Sequence, residues 1–187
     1  MPLSKIPRVI FLDIEGVVVT HRSLIVALNN AKIAYPDNTS LQRYTGATDA
    51  GWHRFIDKDA LGLVFFLARE MECQIVLTST LRSQEHVHYG LLQAAPEFAK
   101  GPNGDEADQY LSFSVTERLR SREDEIRQFI ADHGVEDYVV LDDRRLQIDN
   151  FVEVRPLEGF SVADCHDAKL LLSHSGKYSG EMPVLFL

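Results

Sequence analysis

Apolar positions along this chain follow two patterns, short solid runs and longer stretches with helical spacing. Val9-Ile10-Phe11-Leu12, Gln74-Ile75-Val76-Leu77 and Tyr138-Val139-Val140-Leu141 are runs of strand length with much β-branched content. They predict strands buried on both faces, as in a parallel sheet. Tyr110 to Val115 alternates polar with apolar residues, as a strand nearer the sheet's edge does, and Phe151-Val152-Glu153-Val154 reads as a fifth strand. Between these runs lie helical patterns. Ser23–Ala34 has an imperfect apolar stripe, Asp59–Glu70 carries an acid in its first turn, and a helix is expected from Ser83 to Ala95. Glu123–His133 stops at Gly134, and a last helix runs through Leu172 with Ser161 as N-cap and Asp164 three residues on. Strands alternating with helices define an α/β protein with a parallel sheet.

The intervening stretches are polar. Tyr35-Pro36-Asp37-Asn38 reads as a turn, Thr39–Trp52 lacks periodicity, and 96–108, with Pro102-Asn103-Gly104-Asp105, reads as a surface loop. Val184-Leu185-Phe186-Leu187 is expected to add an edge strand or pack on the core. At 187 residues the chain suits one domain spanning 1–187, and 45% hydrophobic with 25% charged residues is ordinary for a globular protein. The first residues lack the apolar core of a signal peptide and no stretch reaches membrane-spanning length, so a cytoplasmic protein without membrane contact is expected. Cys73 and Cys165 have no CxxC spacing and read as buried thiols. Cys165-His166-Asp167 is no triad, since neighbours on a helix point apart. Nineteen Lys and Arg against 28 Asp and Glu give a net charge of −9, which argues against broad binding to a nucleic-acid backbone. A local Arg cluster gripping one terminal phosphate remains compatible with that charge.

Chemistry concentrates where apolar runs end. Asp13, with Glu15 two residues on, follows the first run, at the strand end where open α/β sheets bind ligands. Gly16 lets the chain turn away behind them. Two carboxylates this close repel, or share a hard cation such as Mg2+. Thr78, Ser79 and Arg82 follow the Gln74–Leu77 run, a hydroxyl-rich turn suited to a phosphoryl oxygen. Asp142 and Asp143 end the Tyr138–Leu141 run and repeat the opening design. Arg118, Arg120 and Arg122 stand just before a helix start, an unfavourable place for a cation unless an anion compensates.

Asp13-Ile14-Glu15-Gly16-Val17 resembles the first motif of the haloacid dehalogenase-like superfamily, DxDG[VT], with Glu15 one methylene longer than the usual Asp. Phe55 to Ala60 and Ile75 to Arg82 are similar to the haloacid dehalogenase-like domain in Swiss Army Knife RNA repair proteins, which shows an SSxWR-like sequence. This chain has Leu81 where that group commonly has Trp, and Arg122-Glu123-Asp124-Glu125-Ile126 matches its RxxEI pattern. The resemblance covers Val9 to Leu172. It implies a three-layer α/β/α sandwich with a Rossmannoid parallel sheet of order 3-2-1-4-5, and a small flap over about 20–54 rather than a full cap domain.

The resemblance also implies roles. Asp13 would be a nucleophile that becomes an aspartyl-phosphate, and Glu15 the general acid and base. Thr78 or Ser79 would hold the phosphate, with Arg82 a further substrate contact. Arg122, with Arg120 as the alternative, would supply the cation of the third motif. Asp13, the Glu15 backbone carbonyl and Asp142 or Asp143 would hold Mg2+. The expected activity is Mg2+-dependent phosphomonoester hydrolysis, on a phosphorylated small molecule, a nucleotide or a nucleic-acid end. The alternative is a weak or inactive module that binds phosphate ligands. A dehalogenase would need neither Glu15 nor paired acids at the fourth motif.

Overall fold

The structure is a computed structural model that describes residues 8–34, 53–82, 85–94 and 113–174. Most of the expected flap, the 96–108 loop and the tail from 175 lie outside the described residues. In chain order the elements are β1 (Arg8–Leu12), α1 (His21–Ala34), α2 (Lys58–Glu70), β2 (Gln74–Leu77) and α3 (Glu85–Ala94). They are followed by β3 (Phe113–Val115), α4 (Arg122–His133), β4 (Asp137–Asp142), β5 (Phe151–Glu153) and α5 (Val162–His174).

All described strand pairs are parallel, and the sheet order is β3-β2-β1-β4-β5. That is the expected 3-2-1-4-5 arrangement, with β1 in the centre. Its residues Val9 to Leu12 are fully buried because both faces are covered. Ile10 and Leu12 join Ile75, Leu77, Val139 and Leu141 in a core shared with α2, α3 and α5. Val9 and Phe11 join Val76 and Val140 in a second core capped by Ile126 and Phe129 of α4. Helices on both faces make the three-layer α/β/α sandwich.

Helix starts are fixed by side-chain caps. Asp57 accepts from the Asp59 and Ala60 amides at the head of α2, and Ser121 accepts from the Asp124 amide at the head of α4. Ser161 and Asp164 bond reciprocally at the head of α5, forming the expected capping box. Gly134 ends α4 in the left-handed conformation. The stripe expected on α1 is only partly used: Ala27 is buried, whereas Ile25 and Ile33 are exposed.

Candidate active site

The site grows out of the alternation of side chains along the central strands. Asp13 continues the row of Val9 and Phe11, so it faces α4 rather than the other core. The backbone ladder runs one residue past the strand ends. The Asp13 amide donates to the Leu141 carbonyl and the Thr78 amide to the Leu12 carbonyl, both at 2.9 Å. With Leu12 in register with both Leu77 and Leu141, the residues Thr78, Asp13 and Asp142 form one polar row at the sheet's carboxyl edge.

Arg122, the first residue of α4, reaches into this row. Its Nη1 lies 2.7 Å from Asp13 Oδ2 and 2.5 Å from Asp142 Oδ2. The cation that looked misplaced at a helix start is therefore compensated by two buried acids. Arg120 is exposed, so of the two candidates it is Arg122 that meets Asp13.

Burial dominates the electrostatics. Asp13 is only 1% exposed, and desolvation pushes its pKa from 3.8 up to about 6, with Asp142 adding to the rise and Arg122 opposing it. Asp142 and Asp143 are also raised, each mainly by burial; Arg122 opposes the rise at Asp142, and the Asp13 charge adds to it at Asp143. Burial alone would lower the Arg122 pKa, but the charges of Asp13 and Asp142 outweigh it and the net shift is upward.

Asp13, Asp142 and Asp143 each place a carboxylate oxygen within 4.8 Å of the others. Asp13 Oδ1 is buried with no hydrogen-bond partner among the described residues, while Asp142 Oδ1 accepts from the Arg144 amide at 2.8 Å. An all-oxygen set with an unsatisfied carboxylate atom fits a hard divalent cation such as Mg2+. Gly16 is required beside it. Its φ is +81°, and an added Cβ would stand 2.5 Å from Asp143 Cγ. The Glu15 side chain lies outside the three-acid group.

Thr78 and Ser79, left as alternatives by the sequence, have different surroundings. Ser79 Oγ donates to Glu15 Oε2 at 2.6 Å and accepts from the Leu81 amide at 3.2 Å. Thr78 Oγ1 is buried and has no partner among the described residues. The free hydroxyl in the row beside Asp13 is therefore that of Thr78, and Ser79 is engaged in holding Glu15. Arg82 departs from the expected substrate contact. It is 3% exposed, and its guanidinium is turned into the protein onto the carbonyls of Thr78, Ser79 and Thr116. Arg118 is also held by backbone, donating to the Thr80 carbonyl at 2.7 Å. Glu125, a buried acid within the RxxEI pattern whose sequence context marks no role for it, lies 2.8 Å from Arg82.

A buried acid at the end of the central strand, a second acid two residues on, a hydroxyl just after β2, a cation at the head of α4 and paired acids at the end of β4 together define a haloacid dehalogenase-like domain. Residues 9–165 match one family of this class, and the chain belongs to it: the HAD domain in Swiss Army Knife RNA repair proteins. The class is one of phosphatase-type hydrolases. No curated protein and no solved structure gives a match. Among the described residues, no helix is long and apolar enough to cross a membrane.

Proposed function

We propose that the protein is a phosphomonoester hydrolase acting through an aspartyl-phosphate on Asp13. The observation that carries this reading is the setting of Asp13: an acid at the end of the central strand, one oxygen paired with Arg122 and the other buried without a partner among the described residues. Ion pairing to Oδ2 fixes the side chain, so that the carboxylate is oriented before a substrate arrives. Asp13 attacks phosphorus as the bond to the leaving oxygen breaks, and Glu15 gives that oxygen its proton. Glu15 then takes a proton from the water that hydrolyses the acyl-phosphate. The Ser79 hydroxyl holds the Glu15 carboxylate for both steps. Thr78 Oγ1 donates to a phosphoryl oxygen, which supplies a partner that no described residue offers.

Asp13, Asp142 and Asp143, with the Glu15 carbonyl, are the residues that would hold Mg2+, which when bound neutralises charge on the phosphate and the carboxylates. Arg122 adds a fixed positive charge on the helix side. The family's name supports a phosphorylated substrate, which we read as a small molecule, a nucleotide or the terminal phosphate of a nucleic acid. The small flap expected over about 20–54 would select among such ligands.

Phosphate release from an aryl phosphate, with and without Mg2+ and beside Asp13→Asn, tests the reading. Turnover that requires both the metal and Asp13 is the expected result. A folded protein inert toward aryl phosphate, nucleotides and phosphorylated RNA ends alike would overturn it.

A further inference from the structure

Arg82 has the most demanding set of contacts in the site region, and none of them faces outward. Nε donates to the Thr116 carbonyl at 2.9 Å, and Nη1 to the carbonyls of Thr78 at 2.9 Å and Ser79 at 2.8 Å. Nη2 lies 2.8 Å from Glu125 Oε1, as an ion pair rather than a well-aimed hydrogen bond. Glu125, 8% exposed, also accepts from the Leu119 amide through Oε1 at 3.1 Å, and the Thr116 hydroxyl lies 3.5 Å from its Oε2.

Three segments therefore meet on one guanidinium. They are the turn after β2 that carries Thr78 and Ser79, the loop after β3, and the first turn of α4. On α4, Glu125 stands three residues after Arg122, on the same side of the helix. Carbonyls buried at strand ends need donors, and a planar fork with five N–H groups satisfies several at fixed angles. A lysine in its place offers a point charge on a flexible stem.

We propose that Arg82 and Glu125 are positioning residues, which lock the Thr78–Ser79 turn to the head of α4 and so fix Thr78 and Arg122 on either side of Asp13. Neither touches the substrate. The catalytic consequence rests on the phosphatase reading, whereas the mechanical coupling of the two segments does not.

The test uses the full chain with Glu125→Gln and Arg82→Lys. Hydrogen exchange is followed across 78–82 and 116–125, and steady-state kinetics on an aryl phosphate with Mg2+ are measured where each variant is fully folded by circular dichroism. Glu125→Gln, which keeps an oxygen for the Leu119 amide, is expected to speed exchange in 78–82 as well as in its own segment. Arg82→Lys is expected to do the converse. In both, kcat should fall about 10- to 100-fold while KM stays within about threefold, the scale expected for misplacement of an otherwise intact site.

A merely structural ion pair would lower the melting temperature and leave kcat of the folded protein unchanged. Exchange changes confined to the substituted segment, or a kcat within about twofold of wild type, overturn the proposal. If wild type releases no phosphate, the phosphatase reading fails and the paired exchange response alone decides the coupling. Should Arg82→Lys fail to fold, Glu125→Gln carries the test.

Discussion

Arg122 Nη1 stands between Asp13 Oδ2 and Asp142 Oδ2, at 2.7 and 2.5 Å. One guanidinium thus joins the ends of two adjacent strands to the head of the helix that covers them. Arg122→Ala leaves two carboxylates buried without their cation, and breaking such a pair from one side costs about 3–5 kcal/mol. Urea unfolding should show a loss of this size at pH 7. The loss should shrink near pH 5, where acids deprived of Arg122 take up protons.

Asp13 supplies the complementary pH dependence. A carboxyl raised from 3.8 to about 6 binds its proton more tightly in the folded state. Its contribution to stability is therefore fully present below pH 3.8 and is lost as pH rises through 6, by about 3 kcal/mol. In metal-free buffer Asp13→Asn should be more stable than wild type by about 1–3 kcal/mol at pH 8. The two should converge near pH 4, and turnover should be absent throughout. A wild type that outlasts Asp13→Asn at pH 8 would contradict this electrostatic account.

Thr78→Val separates stability from activity. The hydroxyl is buried without a partner among the described residues, so an apolar replacement of the same shape should be neutral or stabilising by up to about 1 kcal/mol. Phosphate turnover should nonetheless fall by about 10²-fold, the scale for removing one donor to a developing oxyanion. Thermal melts and kinetics on the same preparation check both halves.

Ser79→Ala should act through Glu15. Without the 2.6 Å hydrogen bond the carboxylate is no longer held. We expect kcat to drop about tenfold, a fraction of the 10²–10⁴ available to acid–base catalysis, and Ser79→Thr to recover most of it. Equal loss in both variants would mean that the hydroxyl does not orient Glu15.

Gly16→Ala combines a left-handed backbone with a collision, its new Cβ 2.5 Å from Asp143 Cγ. A destabilisation of about 2–3 kcal/mol is expected from strain and displacement together. Calorimetric titration with Mg2+ should show weakened binding, because Asp143 must move.

Much of this arrangement is legible in the residues. Three solid apolar runs, the alternation of Tyr110 to Val115 and the short Phe151–Val154 stretch mark five strands, and an acid ending two of the solid runs marks Asp13 and Asp142. Arg122 was visible because a cation at a helix start is out of place without an anion. Thr78 and Ser79 could not be told apart, since adjacent residues at a strand end face opposite ways and the orientation depends on which helix covers which face. Arg82 misled for a related reason. A cation after a hydroxyl turn reads the same whether its head meets a phosphate or the carbonyls of its own loop. Glu125, an acid among acids on α4, is distinguished only by burial, although its three-residue spacing from Arg122 was in view.

The shared row of Thr78, Asp13 and Asp142 makes strand pairing itself a determinant of chemistry. A slip of β1 by one residue would present Leu12 or Ile14 to Arg122 and drive the Asp13 carboxylate into the apolar layer beneath α2 and α5. Such a molecule would lose its core as well as the Asp13–Arg122 pair, so misregistered chains are eliminated by instability rather than persisting as folded protein with a broken site. Evolution of the core and of the site is bound together in the same way: substitutions that disturb the alternation of Val9 to Leu12 are active-site substitutions in effect.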